Sequence, residues 1–156
     1  MNKFEFYNPV KVIFGEGLLA FRQYASETLE PTALVDILHE ALDARPDLWH
    51  AWSALVRQLA ELDRGEEALD RARQAVDRFP LMPRLWLDLA AVCRACDDPE
   101  EEIRAIEKAL EISPAWSDVS QALADAHQRA GDLEKAEAVL RRVKTGRDID
   151  SADLLA

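Results

Sequence analysis

The chain has 156 residues, enough for one domain-sized core. It is 49% hydrophobic and 31% charged, with 30 acidic side chains against 19 basic ones and a net charge of −11. That balance argues against general binding to nucleic acid or to anionic membranes, which needs a basic face. No apolar run approaches the roughly 20 residues of a membrane helix, and two cysteines do not make a disulfide framework.

Residues 1–14 alternate like a strand, from Phe4, Phe6 and Tyr7 to Val10, Val12 and Phe14, with Asn8-Pro9 as a break. Met1-Asn2-Lys3 leads into this stretch and not into the long apolar core of a signal peptide, so the expected location is cytoplasmic. Continued through Gly15-Glu16-Gly17, the segment resembles the N-terminal start of iron-containing alcohol dehydrogenases. The glycine-rich cofactor turn and the metal-ligand histidines of that family have no counterpart further on. Residues 1–14 therefore read as a fused leader, as a strand that pairs with another chain, or as a cover for the first repeat.

From residue 15 onward a fixed period governs the chain. Pro46, Pro80 and Pro114 stand thirty-four residues apart, and similar stretches precede them: Glu40-Ala41-Leu42, Gln74-Ala75-Val76 and Lys108-Ala109-Leu110. Before each proline lie two helical stretches. Trp52, Leu55, Val56 and Leu59 form one apolar stripe at i, i+3, i+4 and i+7; Trp86, Leu89, Ala90 and Cys93 form the next; Ser120, Leu123, Ala124 and His127 form the last. Leu18, Phe21 and Ala25 begin a weaker first copy, whose second helix Pro31 suits as a first-turn residue. Turn signals separate the helices at Asp63-Arg64-Gly65, Asp97-Asp98-Pro99 and Ala130-Gly131-Asp132. Small residues such as Ala68, Ala75, Ala109 and Ala136 let paired helices approach closely.

These residues resemble the tetratricopeptide repeat family over about nine-tenths of the chain, although Val56, Ala90 and Ala124 replace its small glycine and Leu59, Cys93 and His127 its tyrosine. The expected fold is all-α: a right-handed solenoid of four helix-turn-helix units at 15–48, 49–82, 83–116 and 117–150. A short extended segment, 1–14, precedes it and a tail, 151–156, follows, in which Leu154 and Leu155 could dock on the last helix. Trp49 and Trp116 fall outside the apolar stripe and are expected at junctions between helices.

No residues point to catalysis, a cofactor or a metal. Cys93 and Cys96 have the spacing of a zinc or redox half-site, but there is no second pair, and Cys93 takes the packing place of Leu59. His39, His50 and His127 lie in three different units. Asp97, Asp98, Glu100, Glu101 and Glu102 gather at a helix N-terminus, where negative charge is favoured. Glu102 stands out because Ala68 and Ala136 occupy its place in the neighbouring units. A carboxylate there must reach solvent or meet a cation: Arg104, Lys108 or an arginine of the partner helix. A loosened third unit is expected, tightened by Glu102→Ala.

In the resembled family the first helices line a concave groove that holds extended peptides. The resemblance implies groove-facing places at Glu16, Leu19, Gln23 and Ser26, then at His50, Ser53, Arg57 and Ala60. The next are Arg84, Leu87, Ala91 and Arg94, and the last are Asp118, Gln121, Asp125 and Gln128. Of these, His50, Ser53, Arg57, Arg84, Leu87, Arg94, Gln121, Asp125 and Gln128 form the expected peptide-binding set. Arg57, Arg84 and Arg94 either grip a carboxylate-bearing peptide or balance Asp88 and Glu61. The lysine–asparagine clamp with which some members hold chaperone C-termini is missing at Ser53, Arg57, Arg84, Asp88, Asp118 and Ala122. The expected function is a non-enzymatic scaffold that binds a protein or peptide partner, acidic if the arginines act, with no nucleic acid, membrane or cofactor. The alternative is a self-assembling module that joins copies through its N-terminal strand or open C-terminal end.

Overall fold

The computed structural model describes residues 30–142, and its regular structure there is helical, with no strand among the described residues. The helices are α1 (Pro31–Ala44), α2 (Trp49–Glu61), α3 (Gly65–Arg78), α4 (Pro83–Ala95), α5 (Pro99–Ile112), α6 (Ser117–Arg129) and α7 (133–142). The expected extended segment, the first helix of the first unit with Glu16, Leu19, Gln23 and Ser26, and the tail at 151–156 lie outside the described residues.

The period of the sequence is the period of the helices. α2, α4 and α6 start at 49, 83 and 117; α1, α3, α5 and α7 start at 31, 65, 99 and 133. Each start is thirty-four residues after the last of its kind. The same backbone devices recur at the same step. Leu48, Met82 and Trp116 stand before α2, α4 and α6 in extended backbone, and their carbonyls accept the amides of Ala51, Leu85 and Val119, each at 3.1 Å. The first helices end in left-handed turns at Asp63 (φ 58°), Asp97 (φ 59°) and Gly131 (φ 82°). One residue on, the amides of Arg64, Asp98 and Asp132 reach back to the carbonyls of Leu59, Cys93 and His127 at 3.0, 2.9 and 2.9 Å. That bond closes a Schellman motif and satisfies a carbonyl the helix leaves open. Asp98 then caps α5 by accepting the Glu101 amide on Oδ1 at 3.1 Å.

The tryptophans and prolines of the pattern are two ends of one hydrogen bond. Trp52 Nε1 donates to the Pro46 carbonyl at 3.1 Å, and Trp86 Nε1 to the Pro80 carbonyl at 2.9 Å. Ser120 stands at the third such place, so the fourth repeat lacks that tie. Trp116 is half-buried at the N-cap of α6, and Trp49, half-buried, stacks on His50 with ring centroids 3.6 Å apart.

The chain divides into two compact units, residues 1–75 and 76–156, with the division inside α3. In the first, α1 packs on α2. Leu34, Val35, Leu38 and Ala41 of α1 are buried, as are Trp52, Leu55, Val56 and Leu59 of α2 and Ala68 and Ala72 of α3. In the second, α5 packs on both α4 and α6. There Leu85, Leu89, Val92 and Cys93 of α4 are buried, with Ala105, Ile106 and Ala109 of α5 and Val119, Leu123 and Ala126 of α6. Each fully buried leucine or valine contributes about 1.5–3 kcal/mol, while the alanines let the helices approach. Cys93 is fully buried at its packing position, and Cys96 is exposed at the C-cap of α4.

Candidate peptide-binding cleft

In the second unit the two faces of α4 do different work. Leu85, Leu89, Val92 and Cys93 turn into the core. Leu87, Ala91 and Arg94, spaced by four and three, follow one another along a second stripe. On α6, Ala122, Asp125 and Arg129 form a stripe spaced by three and four. Between the two stripes lies a cleft of about 250 Å³, completed by Ala90 of α4 and by Glu102 and Ile106 of α5. Small-molecule pockets run to roughly 300–1,000 Å³, so this space suits one or two side chains of a bound segment.

The charges around it are mostly matched. Glu102, 5% exposed, accepts a hydrogen bond from Arg129 Nη2 on Oε1 at 2.6 Å. The cation that meets it comes from α6. Arg104 Nε instead donates to the Glu100 carbonyl at 3.2 Å, and Lys108 pairs with Glu111 at 2.7 Å. Asp125 Oδ1 accepts from Gln121 Nε2 at 2.9 Å. Arg94, exposed in the last turn of α4, has no carboxylate partner among the described residues. The cleft thus offers an aliphatic wall, a buried ion pair and one arginine not committed to an acid.

The expected groove residues divide accordingly. Leu87, Arg94 and Asp125 line this cleft, and Gln121 orients Asp125. Gln128 is exposed on α6 and lies outside the lining. Arg84 sits with Nε 3.5 Å from Oδ1 of Asp88, which is 6% exposed. That is the charge-balancing reading of this arginine. In the first unit His50 is exposed against Trp49, Arg57 is half-buried and Ser53 is buried. Arg129 and Ile106 were absent from the expected set. The signal that could have led to Arg129 was Glu102 itself, an acid at an alanine position that calls for a base nearby.

A second hollow, about 290 Å³, lies between α4 and α5 around Trp86, Leu89 and Ala105. Its basic residues, Arg104 and Lys108, are both engaged, and the Trp86 indole is committed to Pro80. Among the described residues no group of three or more histidine, cysteine, aspartate or glutamate side chains could hold a metal ion. No helix among them is long and apolar enough to cross a membrane.

A family model, the tetratricopeptide repeat, matches residues 83–125, which carry most of the cleft. Among solved structures the chain is similar to a MamA protein with a TM-score of 0.73 at 17% identity, over 92% of this chain and 77% of the other. A MamA RS-1 double mutant gives 0.73 at 20% identity, over 92% and 78%. MamA 41-end from Desulfovibrio magneticus RS-1 gives 0.64 at 20%, over 83% of each chain. At these identities the likeness is one of fold. No curated protein matches the chain, and none of these matches supports the resemblance of residues 1–17 to iron-containing alcohol dehydrogenases.

Proposed function

We propose that the chain is a non-enzymatic protein-interaction scaffold of four tetratricopeptide units across residues 15–150, which binds a peptide segment of a protein partner in the cleft of α4, α5 and α6. The observation that carries this reading is the convergence of Leu87, Arg94 and Asp125 on one apolar-walled space inside the matched repeat. An arginine without an acid partner beside aliphatic side chains can hold a carboxylate by charge-assisted hydrogen bonds while the wall takes a neighbouring side chain.

The test is a displayed peptide library selected on the full chain, with the selected peptides re-measured by fluorescence anisotropy. Leu87→Asp and Arg94→Ala should each weaken binding about tenfold, the scale of one charge-assisted hydrogen bond. Selected peptides that bind both variants as tightly as the native chain would remove the cleft from the reading. A second reading, self-assembly, is favoured by α7, where Leu133 and Leu140 are 61% and 41% exposed at i, i+7 spacing. It predicts a dimer in sedimentation velocity that Leu133→Gln/Leu140→Gln dissociates; a native monomer at 100 μM rules it out.

A further inference from the structure

Within the proposed peptide cleft, we infer that Glu102 determines specificity: its carboxylate occupies Arg129, so that Arg94 alone is left to receive an acid, and the cleft selects a segment bearing a single carboxylate beside an aliphatic side chain. This rests on the peptide-binding reading of the cleft. Three observations lead to it.

First, Glu102 holds a repeat position that is alanine in the helices before and after it, Ala68 and Ala136, both buried. The packing there needs no carboxylate. Second, the carboxylate is buried, forms a 2.6 Å ion pair with Arg129, and both residues line the cleft. Arg129 keeps 46% of its side chain exposed, so its guanidinium is within reach of a ligand and is held by an internal acid. Third, the other acid of the lining, Asp125, is held by Gln121 and not by a base. The lining therefore carries two positive and two negative charges, and a second ligand carboxylate would meet Glu102 and Asp125 with only one cation uncommitted. Like charges in a partly buried cleft repel, and the internal carboxylate competes with the external one for the same donors.

Removing the negative charge at Glu102 should release Arg129 and turn a one-carboxylate cleft into a two-carboxylate cleft. Glu102→Gln keeps the shape, and Glu102→Ala restores the residue that the adjoining repeats carry, so one of the two keeps the fold intact. The probes are four labelled peptides of equal length built on a Gly-Ser spacer: one ending in leucine with a free α-carboxylate, its C-terminal amide, an amidated Leu-Asp-Gly peptide and an amidated Leu-Asp-Asp peptide. Binding is followed on the full chain by anisotropy and by amide chemical shifts of Arg94 and Ala122.

In the native chain the two single-carboxylate peptides should bind at least as tightly as Leu-Asp-Asp, and the uncharged amide about tenfold more weakly. The first and third peptides distinguish a chain terminus from an internal acid as the source of the carboxylate. In Glu102→Gln and Glu102→Ala the Leu-Asp-Asp peptide should gain about tenfold over the single-carboxylate peptides. Shifts at Arg94 and Ala122 with an unchanged ranking in both variants would overturn the inference and leave the peptide reading standing. No shift at either residue with any peptide would remove the peptide reading and the inference together.

Discussion

Helices α3 and α5 are the same element one period apart, and they differ most at one place. Ala68 in α3 is fully buried, and Glu102 in α5 is buried to 5% exposure. Alanine at that place lets helices approach with nothing to satisfy. The carboxylate brings a desolvation cost that only a partner can offset, and Arg129 of α6, twenty-seven residues further along, supplies it at 2.6 Å. The difference teaches that the repeat sets the frame and that individuality enters where one unit breaks the pattern and the next unit answers it.

The sharpest way to break this comparison is to remove the answer. Arg129→Ala leaves Glu102 buried without a cation and should destabilise the chain by about 3 kcal/mol, the low end for breaking a buried pair, since Arg129 is itself half-exposed. Glu102→Ala copies α3 and frees an arginine that can turn to solvent, so it should be neutral or stabilising. The double variant should recover most of the loss. Urea denaturation of the four chains closes the cycle. An Arg129→Ala loss below about 0.5 kcal/mol would mean that the buried acid is satisfied in another way.

The frame was legible in the sequence because it depends on residue types that act locally. Proline past the helix end, tryptophan six residues on and a left-handed turn after each first helix recur at one step, and each has a partner within six residues. For Glu102 the need for a cation was legible, but its identity as Arg129 was not. Arg129 has Glu61 and Ala95 at the corresponding places, so no period marks it. The cations that seemed nearest, Arg104 and Lys108, are turned to acceptors on their own helix. For Arg84, Asp88 four residues on along α4 is close enough to engage it, which is the charge-balancing one of its two expected roles. Leu87, Arg94 and Asp125, places that the family resemblance implies for a groove, line one cleft.

The turns sharpen the comparison on a smaller scale. Asp63, Asp97 and Gly131 share the left-handed position, and a Cβ built on Gly131 would meet nothing within 4 Å. Gly131→Ala should therefore cost only the backbone term, about 1 kcal/mol, seen as a lower melting temperature. Gly131→Asp, which copies the other two turns, should cost less. Equal losses for the two substitutions would show that aspartate has no local advantage there.

The smallest effect lies one residue beyond those turns. Asp98 and Asp132 occupy the same place before α5 and α7, and each accepts an amide three residues on. The residue supplying that amide is Glu101 in one and Lys135 in the other. Only Asp132 gains an ion pair, at 2.7 Å. The hydrogen bond from the Lys135 side chain, and next that from its backbone, hold the Asp132 carboxyl below the usual carboxylate range. A carboxyl with a lower value folded than unfolded contributes stability that is fully present above the ordinary value, about 4, and that fades as the pH falls through the folded value. Lys135→Glu makes the α7 cap match that of α5. The two chains should then converge in melting temperature as the pH drops from 5 toward 2, with the native chain the more stable above 5. Lys135 is exposed and Asp132 partly so, so the gap should be small and should shrink further in 0.5 M salt; a gap that persists at pH 2 would place the lysine's contribution in packing and not in charge.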